Sequence, residues 1–245
     1  MTLERMTVSQ SPRTVLLVGA TGMVGRAVMA RAVGRDAIRL HAIARREVPL
    51  PAGARMEMLL ADPARWPEAI AATGAASGAG KAGSADCIVI ALGTTIATVG
   101  GDQAAFRAVD HDLVLSCARA AKAAGIRQAI VVSSVGANAG ARNFYLSVKG
   151  ETEDALAKLH FARLDLLRPG LLRGHREGPL RAGERIGMLA SPLLDLALHG
   201  KARRYRSIRA TTVADAVLAL VGVKPDGRFV HEHDQLLRVA RNRAA

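Results

Sequence analysis

The sequence predicts a doubly wound α/β fold: a parallel sheet with helices on both faces. Three observations carry that expectation. Short aliphatic runs alternate with helix-length segments as far as Gly170, the pattern that builds a parallel sheet from strand–helix–strand units. Half of the 245 residues are hydrophobic but only 3% are aromatic, so the core must be filled by Ala, Val, Leu and Ile, as buried parallel strands are. Glycines stand where strand should give way to helix and where helices should stop.

Taken in order, Thr14–Val18 reads as a first strand. Met23 to Val33 follows with helical spacing, and Gly34 is a stop signal. Leu40–Ala44 is a second strand that breaks into Arg45-Arg46, and Met56–Leu60 is a third, followed by Asp62-Pro63. Trp66 to Ala72 reads as a short helix. Thr73 to Ser84 is almost entirely Gly, Ala and Ser and reads as a loop. Its Gly78-Ala79-Gly80-Lys81 resembles a P-loop fragment but has Ala75 and Ala82 where that motif needs Gly and Ser or Thr. Cys87–Leu92 is a fourth strand, Ala104 to Ala124 one long helix, and Gln128–Ser133 a fifth strand. Phe144 to Leu159 is helical, and Leu164–Leu167 is a sixth strand ending at Arg168-Pro169-Gly170. Thr212 to Val221 reads as a helix whose Asp215 would be an N-terminal charge, and Arg228–Val230 as a late strand. Right-handed crossovers put every strand's C-terminal end on one edge, where open α/β sheets bind ligands.

Net charge is +13, from 34 Lys and Arg against 21 Asp and Glu. Such a balance suits nucleic acid, a membrane surface or anionic small molecules. No basic run is interleaved with aromatics, and the densest cluster, Arg203-Arg204-Tyr205-Arg206, is short, so no nucleic-acid partner is expected. Cys87 and Cys117 lack metal-ligand spacing and read as buried hydrophobes. His231-Glu232-His233-Asp234 suggests a metal motif, but consecutive strand residues point alternately and at most two could converge, so no metal is expected. No apolar run reaches the ~18 residues of a membrane helix, and Met1 to Arg13 has no apolar signal core. The expectation is a cytoplasmic protein without a membrane partner.

Gly19-Ala20-Thr21-Gly22-Met23-Val24-Gly25 stands at the first strand–helix junction. Gly19 allows the tight turn, Gly22 lets backbone approach a pyrophosphate, and Gly25 lets the helix pack close to the strand. The helix start then offers free amides and a positive dipole end to phosphate. The fold class sharpens to a Rossmann-type, doubly wound parallel sheet, and the cofactor to a dinucleotide. NAD sites usually carry an acid at the end of the second strand to hold the ribose 2′-hydroxyl. Here Arg45-Arg46 stands there, with no acid until Glu47. Arginine suits a 2′-phosphate through its charge and planar fork, so NADP, as NADPH, is favoured over NAD. One domain is expected over residues 1–245, with a dinucleotide-binding core over about 14–170 and a small C-terminal substrate-covering lobe over about 171–245.

Tyr145 and Lys149 are four apart in a helical stretch and share a face. A free tyrosine, with a pKa of about 10, is a poor general acid near neutrality, and a nearby ammonium favours its phenolate. Ser133-Ser134, at the end of the fifth strand, could hold a substrate carbonyl. Glycine triplet, serines, Tyr145-x-x-x-Lys149 and Arg168-Pro169-Gly170 stand in the order that resembles the short-chain dehydrogenase/reductase superfamily. The finer text Ser133-Ser134-Val135-Gly136-Ala137, Asn143-Phe144-Tyr145-Leu146-Ser147-Val148-Lys149-Gly150-Glu151 and Arg168-Pro169-Gly170-Leu171-Leu172 resembles its atypical subgroup. That subgroup includes the NAD(P)-binding oxidoreductases related to the human HIV Tat-interacting protein. The resemblance runs from about Thr14 to Val221.

The resemblance implies roles. Gly19, Thr21, Gly22, Met23, Val24 and Gly25 would hold the pyrophosphate, and Arg45 with Arg46 would meet the 2′-phosphate. Asp62 would contact adenine, and Leu92 and Gly93 would line the nucleotide. Ser134 rather than Ser133 would hold the substrate oxygen, Tyr145 would be the acid–base, and Lys149 would serve both tyrosine and ribose. Pro169 and Leu172 would border the nicotinamide. One departure stands out: the asparagine of the superfamily's proton relay has no clear match, and Asp110 and His111 occupy its neighbourhood. The expected function is NADPH-dependent reduction of a carbonyl, or the reverse alcohol oxidation. The alternative is a regulatory or partner-binding protein that senses NADP without turnover. Nucleotide-sugar epimerisation uses the same residues but calls for a larger lobe than the stretch after Gly170. Arg173, Arg176, Arg181, Glu184 and Arg185 follow the sixth strand and would form either an anion-recognising cover or a solvated basic loop. The partner expected is a small-molecule substrate that could be anionic, and the chain a monomer or homodimer.

Overall fold

The computed structural model describes residues 12–75, 85–174, 195 and 198–242. Seven parallel strands form the main sheet: β1 (Arg13–Val18), β2 (Ile38–Ala44), β3 (Met56–Leu60), β4 (Cys87–Ile90), β5 (Gln128–Val132), β6 (Arg163–Leu167) and β9 (Gly227–His231). Their spatial order is β3-β2-β1-β4-β5-β6-β9. The chain therefore reverses direction across the sheet between β1 and β4, the switch point at which such sheets bind nucleotides. A two-stranded parallel ribbon pairs β7 (Leu172–Arg173) with β8 (Ile208–Arg209).

The sheet divides two aliphatic cores. Val15 and Leu17 of β1 face one and Leu16 and Val18 the other, as the pleat requires. The first core is closed by α1 (Met23–Ala32), α6 (Ala210–Leu220) and α7 (His233–Arg241), with Val28 and Val217 fully buried. The second is closed by α2 (Trp66–Ala75), α4 (Val114–Ala123) and α5 (Phe144–Ala157). Trp66 lies in this second core and donates its indole N–H to the Ala61 carbonyl at 3.0 Å.

Three expectations need correction. The single helix over Ala104 to Ala124 is instead α3 (Gln103–Arg107), a π-helical turn over Ala108–Leu113, and α4. Asp215 is not an N-terminal charge: it lies mid-way along α6 and pairs with Arg31 of α1 at 3.4 Å and with Arg35, just after α1, at 3.3 Å. The region from 171 onward does not all stand apart as a lobe, because β9 pairs with β6 in the main sheet and α6 packs on α1. Side chains bind this late strand to the sheet. The buried Asp165 carboxylate takes two bonds from Arg163, both 2.7 Å, one from Gln128 at 3.1 Å, and lies 2.9 Å from His231 Nε2. Burial pushes that carboxyl's pKa upward, but the bonds from His231, Arg163 and Gln128 outweigh it and hold it below the usual value. Gln128 also donates to the Leu220 carbonyl at 2.8 Å and so ties the end of α6 to β5.

Candidate nucleotide and catalytic site

The glycine loop follows β1 at the C-terminal edge of the sheet. Gly19 has φ +93°, and a Cβ there would lie 2.5 Å from the Ala91 carbonyl oxygen at the end of β4. A Cβ on Gly25 would overlap the Gly19 carbonyl, so only glycine lets α1 start this close to the strand. Gly22 caps α1 with no side-chain bond, and no acid stands in the first turn. The early amides of α1 therefore keep their donors and their positive dipole end, the cradle a pyrophosphate fits. Val24 is buried in the first core and Met23 is half-buried, while the Thr21 carbonyl accepts a bond from Arg26 Nε at 3.0 Å.

Arg45 and Arg46 stand exposed after β2, and neither pairs with a carboxylate among the described residues. Asp62 is exposed after β3, and its Oδ1 accepts the Ala64 N–H at 2.9 Å to cap the 3-10 turn Pro63–Arg65. Leu92 and Gly93 follow β4. A Cβ on Gly93 would sit 3.5 Å from Asp110 Oδ1 and 3.8 Å from Lys149 Nζ, so the β4 end, the π turn and α5 converge there.

Asn143 starts α5 by accepting the Leu146 N–H at 3.1 Å, which sets Tyr145 and Lys149 on the first turns. The half-buried Tyr145 ring packs on Phe106 with centroids 5.6 Å apart. Lys149 is buried, and its Nζ lies 2.8 Å from Asp110 Oδ1, while Asp110 Oδ2 accepts the Thr94 N–H at 2.8 Å. Asp110 is fully buried within the π turn, and its carbonyl accepts from Thr152 of α5 at 3.1 Å. Residue reading found the neighbourhood of Asp110 but not its role.

The two serines separate. Ser133 is buried and donates to Glu153 Oε1 at 2.5 Å, and Arg168 grips the same carboxylate at 2.9 and 2.5 Å. That bond to Glu153 raises the Arg168 pKa against the opposing effect of burial. Ser134 is half-buried, and among the described residues its hydroxyl makes a long bond, 3.4 Å, to the Val135 carbonyl. The Pro169 carbonyl accepts the Val135 N–H at 3.0 Å, and Leu172 lies half-buried on β7. Arg176, Arg181, Glu184 and Arg185 lie outside the described residues, as does Gly78-Ala79-Gly80-Lys81.

Both cysteines are buried. Burial pushes the Cys87 thiol well up and the Cys117 thiol up to about 12, so neither offers a thiolate. Among the described residues no three His, Cys, Asp or Glu side chains are placed to hold a metal ion, and no helix is long and apolar enough to cross a membrane.

Sheet order, glycine loop and uncapped α1 together define a Rossmann-like nucleotide-binding protein. The chain belongs to the family described as NAD(P)H-binding, whose model matches residues 19–185. It is 38% identical over 164 residues to Protein FMP52, mitochondrial, of Eremothecium gossypii, spanning 66% of this chain and 67% of that one. It is 33% identical over 221 residues to Protein fmp52, mitochondrial, of Aspergillus clavatus, spanning 87% and 91%. Among solved structures, a putative NAD-dependent epimerase/dehydratase from Bacillus halodurans shares the fold, with 22% identity, TM-score 0.64 and coverage of 94% and 99%. The relatives' names overturn the expectation of a cytoplasmic location. That expectation rested on the lack of an apolar signal core, which bears on secretion; mitochondrial targeting segments are amphipathic and need no such core.

Proposed function

We propose that the chain is an NADPH-dependent oxidoreductase of the short-chain type that reduces a carbonyl or oxidises the corresponding alcohol. The observation that carries this reading is convergence at one sheet edge. The uncapped α1 start, Gly93, Ser134, Tyr145 and Lys149 all follow C-terminal strand ends or the helix after them. A cofactor held here would supply the hydride for reduction in its reduced form and accept it for alcohol oxidation in its oxidised form. Ser134 Oγ holds the substrate oxygen, Tyr145 passes it a proton, and Lys149 orients the ribose and supports the phenolate. Arg45 and Arg46 meet the 2′-phosphate, Asp62 the adenine, and Pro169 and Leu172 the nicotinamide. The motif text resembles that of the atypical subgroup related to the HIV Tat-interacting protein, and this resemblance supports the reading.

A second reading, nucleotide sensing without turnover, is favoured by one feature: the Lys149 ammonium is paired with a buried carboxylate, which offsets its field at Tyr145. Tyr145→Phe separates the two readings. Turnover of NADPH with a panel of aldehydes and ketones should fall by about 10²–10⁴-fold, with the NADPH dissociation constant held within about twofold. Full activity in that variant removes the mechanism. A wild type that binds NADPH tightly but consumes none with any carbonyl favours the sensor.

A further inference from the structure

We propose that the cavity between α1, the β7–β8 ribbon and the start of α6 binds the carboxylate or phosphate group of a small molecule. The cavity has a volume of about 490 Å³ and is lined by Met23, Arg26, Ala27, Arg173, Gly174, Arg209, Ala210 and Thr211, a size ordinary for small-ligand pockets. Its described lining holds three arginines and no acid.

The one acid on α6, Asp215, is held by Arg31 in the last turn of α1 and by Arg35 just beyond it. Arg173 Nε is buried and has no hydrogen-bond partner among the described residues. A desolvated, unpaired guanidinium nitrogen beside an open cavity calls for an acceptor from a ligand. The backbone adds to this demand. Arg209 caps α6 without a side-chain bond, the first turn carries no acid, and Ala210 and Thr211 of that turn line the cavity. An eleven-residue helix thus directs its positive end at the same space that the Arg173 and Arg209 guanidinium forks line.

Met23, the first residue of α1, also lines the cavity, so the cavity begins where the phosphate loop ends. The bound anion stands beside the nucleotide rather than in its place. Naming that anion as part of the substrate rests on the oxidoreductase reading; its binding does not.

The test titrates the full chain, saturated with NADPH, with inorganic phosphate and separately with succinate at constant low chloride, followed by calorimetry. Saturable one-to-one binding of at least one anion is expected, weakened at least tenfold in Arg173→Met and in Arg209→Met, with NADPH affinity within twofold of wild type. Arg209 is exposed, so its variant keeps the test decisive if the Arg173 variant does not fold. No saturable binding of either anion, or binding unchanged in the variants, overturns the proposal. Loss of NADPH affinity in step with the anion overturns it too, because the cavity would then belong to the nucleotide. A protein that binds no NADPH yet binds anions through these arginines sinks the oxidoreductase reading and leaves the anion site standing.

Discussion

Arg45 and Arg46 follow β2 in solvent, with no carboxylate partner among the described residues. Under the proposed function their guanidinium groups meet the 2′-phosphate that distinguishes NADPH from NADH. Replacing Arg45 with Ala should weaken NADPH by about tenfold, equivalent to ~1.4 kcal/mol for one charge-assisted contact, and leave NADH within about twofold. Parallel fluorescence titrations at low salt read this out, since an exposed charge pair is screened by added electrolyte. Equal losses for both nucleotides would remove the arginine from that role. Single residues were unevenly legible in the sequence. The glycines announce themselves, because turns and close packing tolerate nothing else. Ser134 was preferred to Ser133 on motif text alone, and the bond that commits Ser133 to Glu153 was not legible there. The partner of Lys149 was not legible as one, since Asp110 is distant in sequence and meets Lys149 only when α5 folds against the π turn.

Hydrophobic periodicity found the helices and strands of the Rossmann core to within a residue or two at most ends, but it could not see a change of helical pitch. Over Ala104 to Ala124 the apolar spacing is close enough to 3.6 to suggest one helix. A π turn is set by what the side chains of 108–113 meet, not by their propensities. The link between α5 and the β5–β6 ends depends in the same way on one long-range acid. Glu153 is 2% exposed at its side chain and serves Ser133, Arg168 and, at 3.7 Å, Arg228. Glu153→Gln would leave the Arg168 charge poorly compensated, a loss of ~3 kcal/mol by the usual cost of breaking a buried pair. In a chain of this size that lowers the melting temperature by about 6–12 °C, measurable by circular dichroism. A variant within 2 °C of wild type would show that the carboxylate is dispensable to this junction.

For the whole molecule, acid stability turns on Asp165. Its folded pKa lies below the ordinary value of about 3.9, so the ionised form is favoured in the fold. Its contribution is therefore fully present above about pH 4 and is lost as pH falls through the lowered value. Glu151 and Asp234 shift the same way, Glu151 through Arg107 and Ser147 and Asp234 through His233, but both lie near solvent and add little. Urea unfolding between pH 6 and pH 3 should show stability falling steeply at the acid end. Asp165→Asn should lower the neutral plateau and flatten that fall, and an unchanged acid limb would exclude Asp165 as its source. The sheet as a whole was legible up to β6, because alternating elements and right-handed crossovers leave few arrangements. The place of β9 was not: a short strand at the far end joins the sheet through the Asp165 cluster and the Arg168 amide bond to the His231 carbonyl, at 2.9 Å. The interior strand β1, between β2 and β4, carries aliphatic residues on both faces. Sliding it by one residue would exchange the two cores' occupants without exposing anything polar, so hydrophobicity alone does not hold its alignment. Its two ends do. Thr14 and Asp86 bond reciprocally at 2.8 Å at one end, and Gly19 abuts the Ala91 carbonyl at the other. The loop that would receive a phosphate is thus also the end-stop that keeps the middle of the sheet in register.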